Sequence, residues 1–261
     1  MCIFSSEVNS VSNTHIYARY AGRDRQYLVY SMSYDAPDDL AMILPLPTPP
    51  STPEDALEFT DLSGYPELFE DMDRSFPLPR VVYHPPGAPR SALTIYEVGS
   101  YEASFVPTNA DFARLDPRFR LADALWEALP NYSDYSFVVF KLKSGAKQIH
   151  PMAFTFPTRD STMLFFPTVH VHHGEVPAKA DFDHVLYWQA AMPMVPDSAP
   201  FNYWRIEVSE RPISRHVNMA RASKVLVPNL SLRRIAIFGH YPNQDIVLYP
   251  QSLEELYGDV R

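Results

Sequence analysis

Cysteine is almost absent: the 261 residues hold one, Cys2. That excludes a disulfide framework and any thiolate-based zinc cluster. Glycine is scarce as well, 8 residues against 26 prolines, where average usage is about 7% Gly and about 5% Pro. Neither G-x-G-x-x-G nor G-x-x-x-x-G-K-[ST] occurs, so the common nucleotide-binding loops are missing. No G-x-S-x-G elbow is present, which removes the common serine hydrolases. Positive charge is in deficit, 22 Lys+Arg against 31 Asp+Glu for a net −9. A chain so acidic is a poor partner for nucleic acid or an anionic membrane, both of which need a basic field. The start, Met1-Cys2-Ile3-Phe4-Ser5-Ser6-Glu7, has neither the basic nor the apolar region of a signal peptide. No run approaches the roughly 18 apolar residues of a membrane-spanning helix, and a cytoplasmic protein is the expectation. No period of 20–50 residues recurs, so a solenoid or propeller is not expected.

Against these absences stands a large apolar content, 46% hydrophobic and 13% aromatic, enough for a substantial core and far from a solvated chain. Thr14–Tyr20 and Gln26–Met32 flank Ala21-Gly22-Arg23-Asp24 and read as a β-hairpin. Leu40–Pro47 reads as a buried strand ended by proline, and Pro66–Met72 as a short amphipathic helix with proline in its first turn. Thr48–Pro53 and Pro77–Ser91 are the Pro-rich loops, stiff because proline fixes φ. Leu121–Leu129, ended by Pro130, carries Leu121, Leu125, Trp126 and Leu129 at helical spacing and is the strongest helix signal. Beyond it the pattern is strand-rich: 136–143, 152–156, 163–171, 184–191, 203–208, 233–238 and 245–249. The expectation is an α+β fold, residues 1–261 as a single domain, dominated by a mostly antiparallel sheet. Two layers are one way to bury that sheet, and the main helix lies near Leu121–Leu129. Neither half has enough amphipathic helix to cover its own strands, so the sheet should draw on both.

Two constellations carry chemistry. Cys2 directly follows the initiator Met, and removal of Met1 would leave nucleophile and base in one residue. The free α-amine, with a reference pKa of about 7.7–8.0, can take the proton of a thiol near 8.5. Such a site needs an oxyanion hole, for which Asn13 is a candidate, and commonly a cation near the thiolate. The opening Met1-Cys2, followed by a strand ending Ile16-Tyr17-Ala18-Arg19, resembles the N-terminal nucleophile hydrolases of the choloylglycine hydrolase and class II glutamine amidotransferase groups. The resemblance implies amide chemistry, with Arg19 matching the arginine beside the nucleophile. It is confined to the N-terminal hairpin, and Gly22 stands where the choloylglycine pattern has an aspartate. A buried structural thiol is the competing reading of Cys2 beside Ile3-Phe4. Residues 2–170 also resemble an uncharacterised bacterial family of unknown function, through Ile43-Leu44-Pro45-Leu46-Pro47, Val98-Gly99-Ser100-Tyr101, the Trp126 helix and Phe140-Lys141-Leu142-Lys143. That resemblance implies no reaction.

The second constellation is histidine. Five of nine lie between residues 150 and 184. His170 and His172, two apart on an expected strand, share a face and could chelate one ion. His150, His173 and His184 are further ligand options, with Asp181, Asp183 and Glu175 as carboxylates; a transition metal is the implied cofactor. A hydrogen-bonded pair of sheet histidines is the plainer alternative. His15, His84, His216 and His240 have no partner at ligand spacing. Three functions follow from these readings. The first is an amide hydrolase or amidotransferase using Cys2, acting on a small molecule or peptide. The second is a metal-binding protein or metalloenzyme using His170 and His172 with His184 or His150. The third is a non-enzymatic interaction protein whose stiff Pro-rich loops form the binding surface.

Overall fold

The computed structural model describes residues 3–22, 24–77, 102–172, 174–197, 200 and 204–251. The chain is mostly β. Its strands are β1 (Ile3–Phe4), β2 (Ser10–Tyr20), β3 (Arg25–Ala36), β4 (Leu40–Leu46), β5 (Glu58–Thr60), β6 (Glu102–Val106), β7 (Ser136–Leu142), β8 (Gly145–Gln148), β9 (Met152–Pro157), β10 (Leu164–Phe166), β11 (Lys179–Gln189), β12 (Met194–Pro196), β13 (Glu207–Val208), β14 (Arg233–Pro242) and β15 (Ile246–Pro250). Two short α-helices accompany them among the described residues, α1 (Leu68–Asp73) and α2 (Asp123–Glu127).

These strands form three sheets. The large one runs β13-β14-β11-β2-β3-β9-β5, with β8 pairing β3 beside β9. The second runs β1-β4-β7-β6 and the third β10-β15-β12. All named pairings are antiparallel except β11 with β2, which run parallel with His184 opposite Thr14 and Gln189 opposite Arg19. That pairing joins strands about 170 residues apart in the chain.

Alternation decides what each face meets. On β2 and β11, Ile16, Ala18, Leu186 and Trp188 face a core shared with Phe4, Met42 and Phe140 of the second sheet and Phe166 and Leu248 of the third. Their neighbours Tyr17 and Tyr187 face the other way, under Leu68, Phe69 and Met72 of α1 and under Ile213, Val225 and Leu232. The second sheet is covered on its far side too, where Ile43, Phe137 and Val139 meet Phe112, Phe119, Leu125 and Tyr132. Burial on both faces is why β4 and β7 read as unbroken apolar runs. Pro45 is tolerated inside β4 because β1 reaches only Met42 and Ile43, leaving Pro45 with β7 alone.

The helix expected over Leu121–Leu129 is a five-residue helix, Asp123–Glu127. Ala122 is extended, at ψ 142°, and Leu129 is already non-helical before Pro130. Leu121, Leu125 and Leu129 are nevertheless all buried against the second sheet. Among the described residues no helix is long and apolar enough to cross a membrane.

Candidate functional site

Of the residues offered for amide chemistry, Arg19 and Asn13 lie apart. Cys2 lies outside the described residues. Arg19 shares the Tyr17 face of β2, pointing away from the core that takes Phe4. Its guanidinium is committed to carbonyls: Nε donates to Val225 O, Nη1 to Tyr20 O at 2.6 Å and Nη2 to Lys224 O at 2.7 Å. It also stacks over the Tyr27 ring at 4.2 Å. A cation held this way ties β2 to the segment around residue 225. Asn13 sits at the register shift between Ser12 and His15, with φ 53°, a left-handed conformation asparagine tolerates better than most. Its N–H donates to Asp183 Oδ2 at 3.0 Å and its carbonyl accepts from His15 Nδ1 at 2.9 Å. Asn13 and Arg19 are six positions apart along β2, roughly 20 Å, too far for a common reacting atom.

The histidines divide differently. Residues 168–172 run along β1, with Val171 bridging Ile3 and Phe4 N–H donating to Val171 O at 3.1 Å. Side chains from the turn before β15 fix this segment from the other side. Asn243 Oδ1 accepts His170 N–H at 2.7 Å, while its Nδ2 donates to His170 O and Pro177 O, each at 2.9 Å. Asp245 Oδ1 accepts the Thr168 and Val169 N–H groups at 2.8 and 3.1 Å. Alternation then sends Val169 and Val171 into the core outside the second sheet. His170 and His172 face the other way, toward Phe182 and Phe4, with ring centroids 4.5 and 5.4 Å apart respectively.

Three imidazoles gather here. The His170 ring lies 5.7 Å from that of His172 and 5.3 Å from that of His184. Burial holds the His170 imidazole well below the usual histidine range, so it is neutral. His184 is fully buried, and its Nδ1 accepts the Asp183 N–H at 3.2 Å. His150 belongs elsewhere: from His184 the sheet passes through β2 and β3 before Ile149 bonds to Met32 O. That is three strand steps, roughly 14 Å. A cavity of about 340 Å³ opens beside His170 and His172, lined also by Glu175, Lys179, Asp181 and His240. Asp181 accepts from His240 Nδ1 at 2.9 Å. Among the described residues no three His, Cys, Asp or Glu side chains already converge on one ion.

A second cavity, about 500 Å³, is lined by Tyr132, Tyr135, Phe165, Asp197 and Asp245. Asp245 Oδ2 accepts the Tyr132 hydroxyl at 2.7 Å. Desolvation raises the Asp245 carboxyl to about 6, against the pull of its three hydrogen bonds, and lifts Tyr132 well above its usual value. Sequence reading passes over this pair, because Tyr132 and Asp245 are 113 residues apart and neither carries a motif.

No protein-family model matches the chain. In fold it is like baculovirus P35, with a TM-score of 0.52 at 12% identity over 96% of this chain and 100% of that one. Two other P35 structures are a mutated P35 after caspase cleavage and a caspase-8/P35 complex. Each matches with a TM-score of 0.45 at 12% identity over 92% of this chain, and over 99% and 96% of the respective P35 chains. The likeness corrects the first functional expectation. The fold likeness shown is to P35 rather than to an N-terminal nucleophile hydrolase, and the arginine that such chemistry would use is spent on carbonyls. The expected small-molecule or peptide substrate is corrected with it, because that expectation rested on the amide chemistry.

Proposed function

We propose that this chain is a non-enzymatic interaction protein whose partner is a protease of the caspase kind. The observation that carries the reading is the fold likeness to P35, which runs the length of both chains rather than over one motif. The disposition of Arg19 supports it, because a guanidinium committed to three backbone carbonyls has no reacting group to serve. The net charge of −9 and the lack of the common nucleotide-binding loop motifs are in keeping with a protein partner. The Pro-rich segment 77–91 is the binding surface this reading favours, on the sequence argument that prolines lower the ordering cost of a bound loop. The chain acts as one unit in this proposal, since the large sheet takes strands from residues 10–36 and 179–242.

The test is direct. The purified chain is mixed with a panel of caspases, including caspase-8, and followed by size exclusion and by turnover of a fluorogenic peptide. The expected result is a co-eluting complex with at least one member and a stoichiometric fall in its turnover. Replacing residues 77–91 by a Gly/Ser linker should abolish both while leaving the thermal melt of the free chain unchanged. No complex and no loss of turnover across the panel would overturn the proposal. A complex that survives the linker replacement would move the binding surface elsewhere.

A further inference from the structure

We propose that the cavity beside His170 binds a divalent transition-metal ion of the zinc class, with the imidazoles of His170 and His172 as fixed ligands and the Glu175 carboxylate closing on it as the third. The inference is independent of the caspase reading and starts from one atom. His170 is only 3% exposed, its Nε2 is buried, and that nitrogen has no hydrogen-bond partner. Buried polar atoms are nearly always satisfied, so an orphaned one on a residue that lines a cavity asks for an occupant. A neutral imidazole nitrogen offers a lone pair, which a hydrocarbon cannot use and a metal ion can.

Geometry narrows the occupant. At Zn–N distances of about 2.0–2.1 Å and a tetrahedral angle, two imidazoles on one ion place their ring centroids roughly 5 Å apart. The His170 and His172 centroids are 5.7 Å apart, within a small ring tilt of that value. Both backbones are already fixed, His170 by Asn243 on its N–H and carbonyl, and His172 by its bridge to Glu175. Little ordering entropy therefore opposes binding.

The same bridge supplies the carboxylate. Glu175 N–H donates to His172 O at 3.2 Å, which turns the chain back and places Glu175 on the cavity wall. Its side chain is exposed and can swing, and the third ligand must do so because the three groups do not yet converge. His184 stands behind His170, with its Nδ1 accepting a backbone N–H, and His150 is three strands away. Two nitrogens and one carboxylate suit zinc, cobalt or nickel better than calcium or magnesium.

The full chain, without a histidine tag, is stripped with chelator and titrated with Zn²⁺ by calorimetry and with Co²⁺ by visible absorption. The expected result is one ion per chain and cobalt d–d bands of low-coordinate intensity. H170A and H172A should each weaken binding by at least about 100-fold and E175Q by about 10-fold. H150A and H216A should leave it unchanged. Because H170A removes a buried ring, its near-UV circular dichroism must match the parent. If it does not, paramagnetic shifts of histidine resonances in the Co²⁺-loaded parent decide instead. Binding below about a tenth of an equivalent, far under the tight occupancy such a ligand set gives, would overturn the proposal. So would cobalt shifts centred on His216 or His240, or unchanged affinity in a folded H170A.

Discussion

Replacing Asp245 by asparagine should stabilise the protein at neutral pH and remove part of its pH dependence. The carboxyl accepts two backbone N–H groups on Oδ1 and the Tyr132 hydroxyl on Oδ2, yet burial raises it to about 6 from an ordinary 3.8. A folded value above the unfolded one means the folded state holds the proton more tightly. The stability this contributes is complete below pH 3.8 and is lost as pH rises through about 6. About two pH units at 1.36 kcal/mol each set an upper bound of about 3 kcal/mol, the cost of the buried anion above pH 7. Asparagine keeps the Oδ1 acceptor for Thr168 and Val169. Its amide nitrogen can donate to the Tyr132 hydroxyl, whose role then reverses from donor to acceptor. D245N should therefore match the parent near pH 4 and exceed it by about 1–3 kcal/mol at pH 7.5. Urea unfolding of both proteins at half-unit steps from pH 4 to 8 measures the difference. A difference that is flat with pH, or that turns against asparagine as pH rises, would show that the folded state stabilises the anion and would refute the reasoning.

Three further outcomes follow from the packing. Gln26 is fully buried and clamps β10 through both its amide atoms, Nε2 to Phe165 O at 2.7 Å and Oε1 from Phe165 N–H at 3.0 Å. Q26A should cost about 2–4 kcal/mol by urea unfolding, since it leaves two buried backbone groups unmatched. R19K should cost about 1–3 kcal/mol, because an ammonium cannot reach three carbonyls in the plane of the guanidinium fork; a melt unchanged within error would deny Arg19 its structural role. Proteolytic cleavage within residues 77–91 should leave two fragments that co-elute and unfold in one transition, since β3 pairs β9 and β4 pairs β7 across the cut. Fragments that separate and melt independently would mean two domains.

Much of the architecture is legible in the sequence. Apolar runs marked β4 and β7, and the Gly22 turn marked the hairpin of β2 and β3, because these signals are local and several residues long. The edge strands β1, β5, β6, β8 and β12 span two to five residues, less than a readable period, and were invisible. The leucine spacing around Trp126 overstates the helix: its leucines are buried, but Pro130 and an extended Ala122 leave barely more than one turn. For the histidines, sequence proximity was a poor guide. His170 and His172 share a face as alternation requires, whereas His150 lies across the sheet. Arg19 looked reactive by spacing from Cys2. Which face of β2 it takes depends on what packs beneath the sheet, and no local pattern encodes that.

The parallel union of β2 with β11 also sets a timetable for biosynthesis. Asn13 and its partner Asp183 are 170 residues apart, so at about 5–20 residues per second the ribosome delivers the second strand roughly 10–30 s after the first. Throughout that interval β2 presents an unpaired edge, with Ile16 and Ala18 on the face that later becomes the main core. The nascent hairpin is a sticky, half-made template during every round of translation, open to other nascent chains and to holding chaperones. Slowing synthesis lengthens that window, while moving residues 1–36 to the carboxyl end by circular permutation would close it. The yield of soluble protein should follow the order in which the two strands emerge.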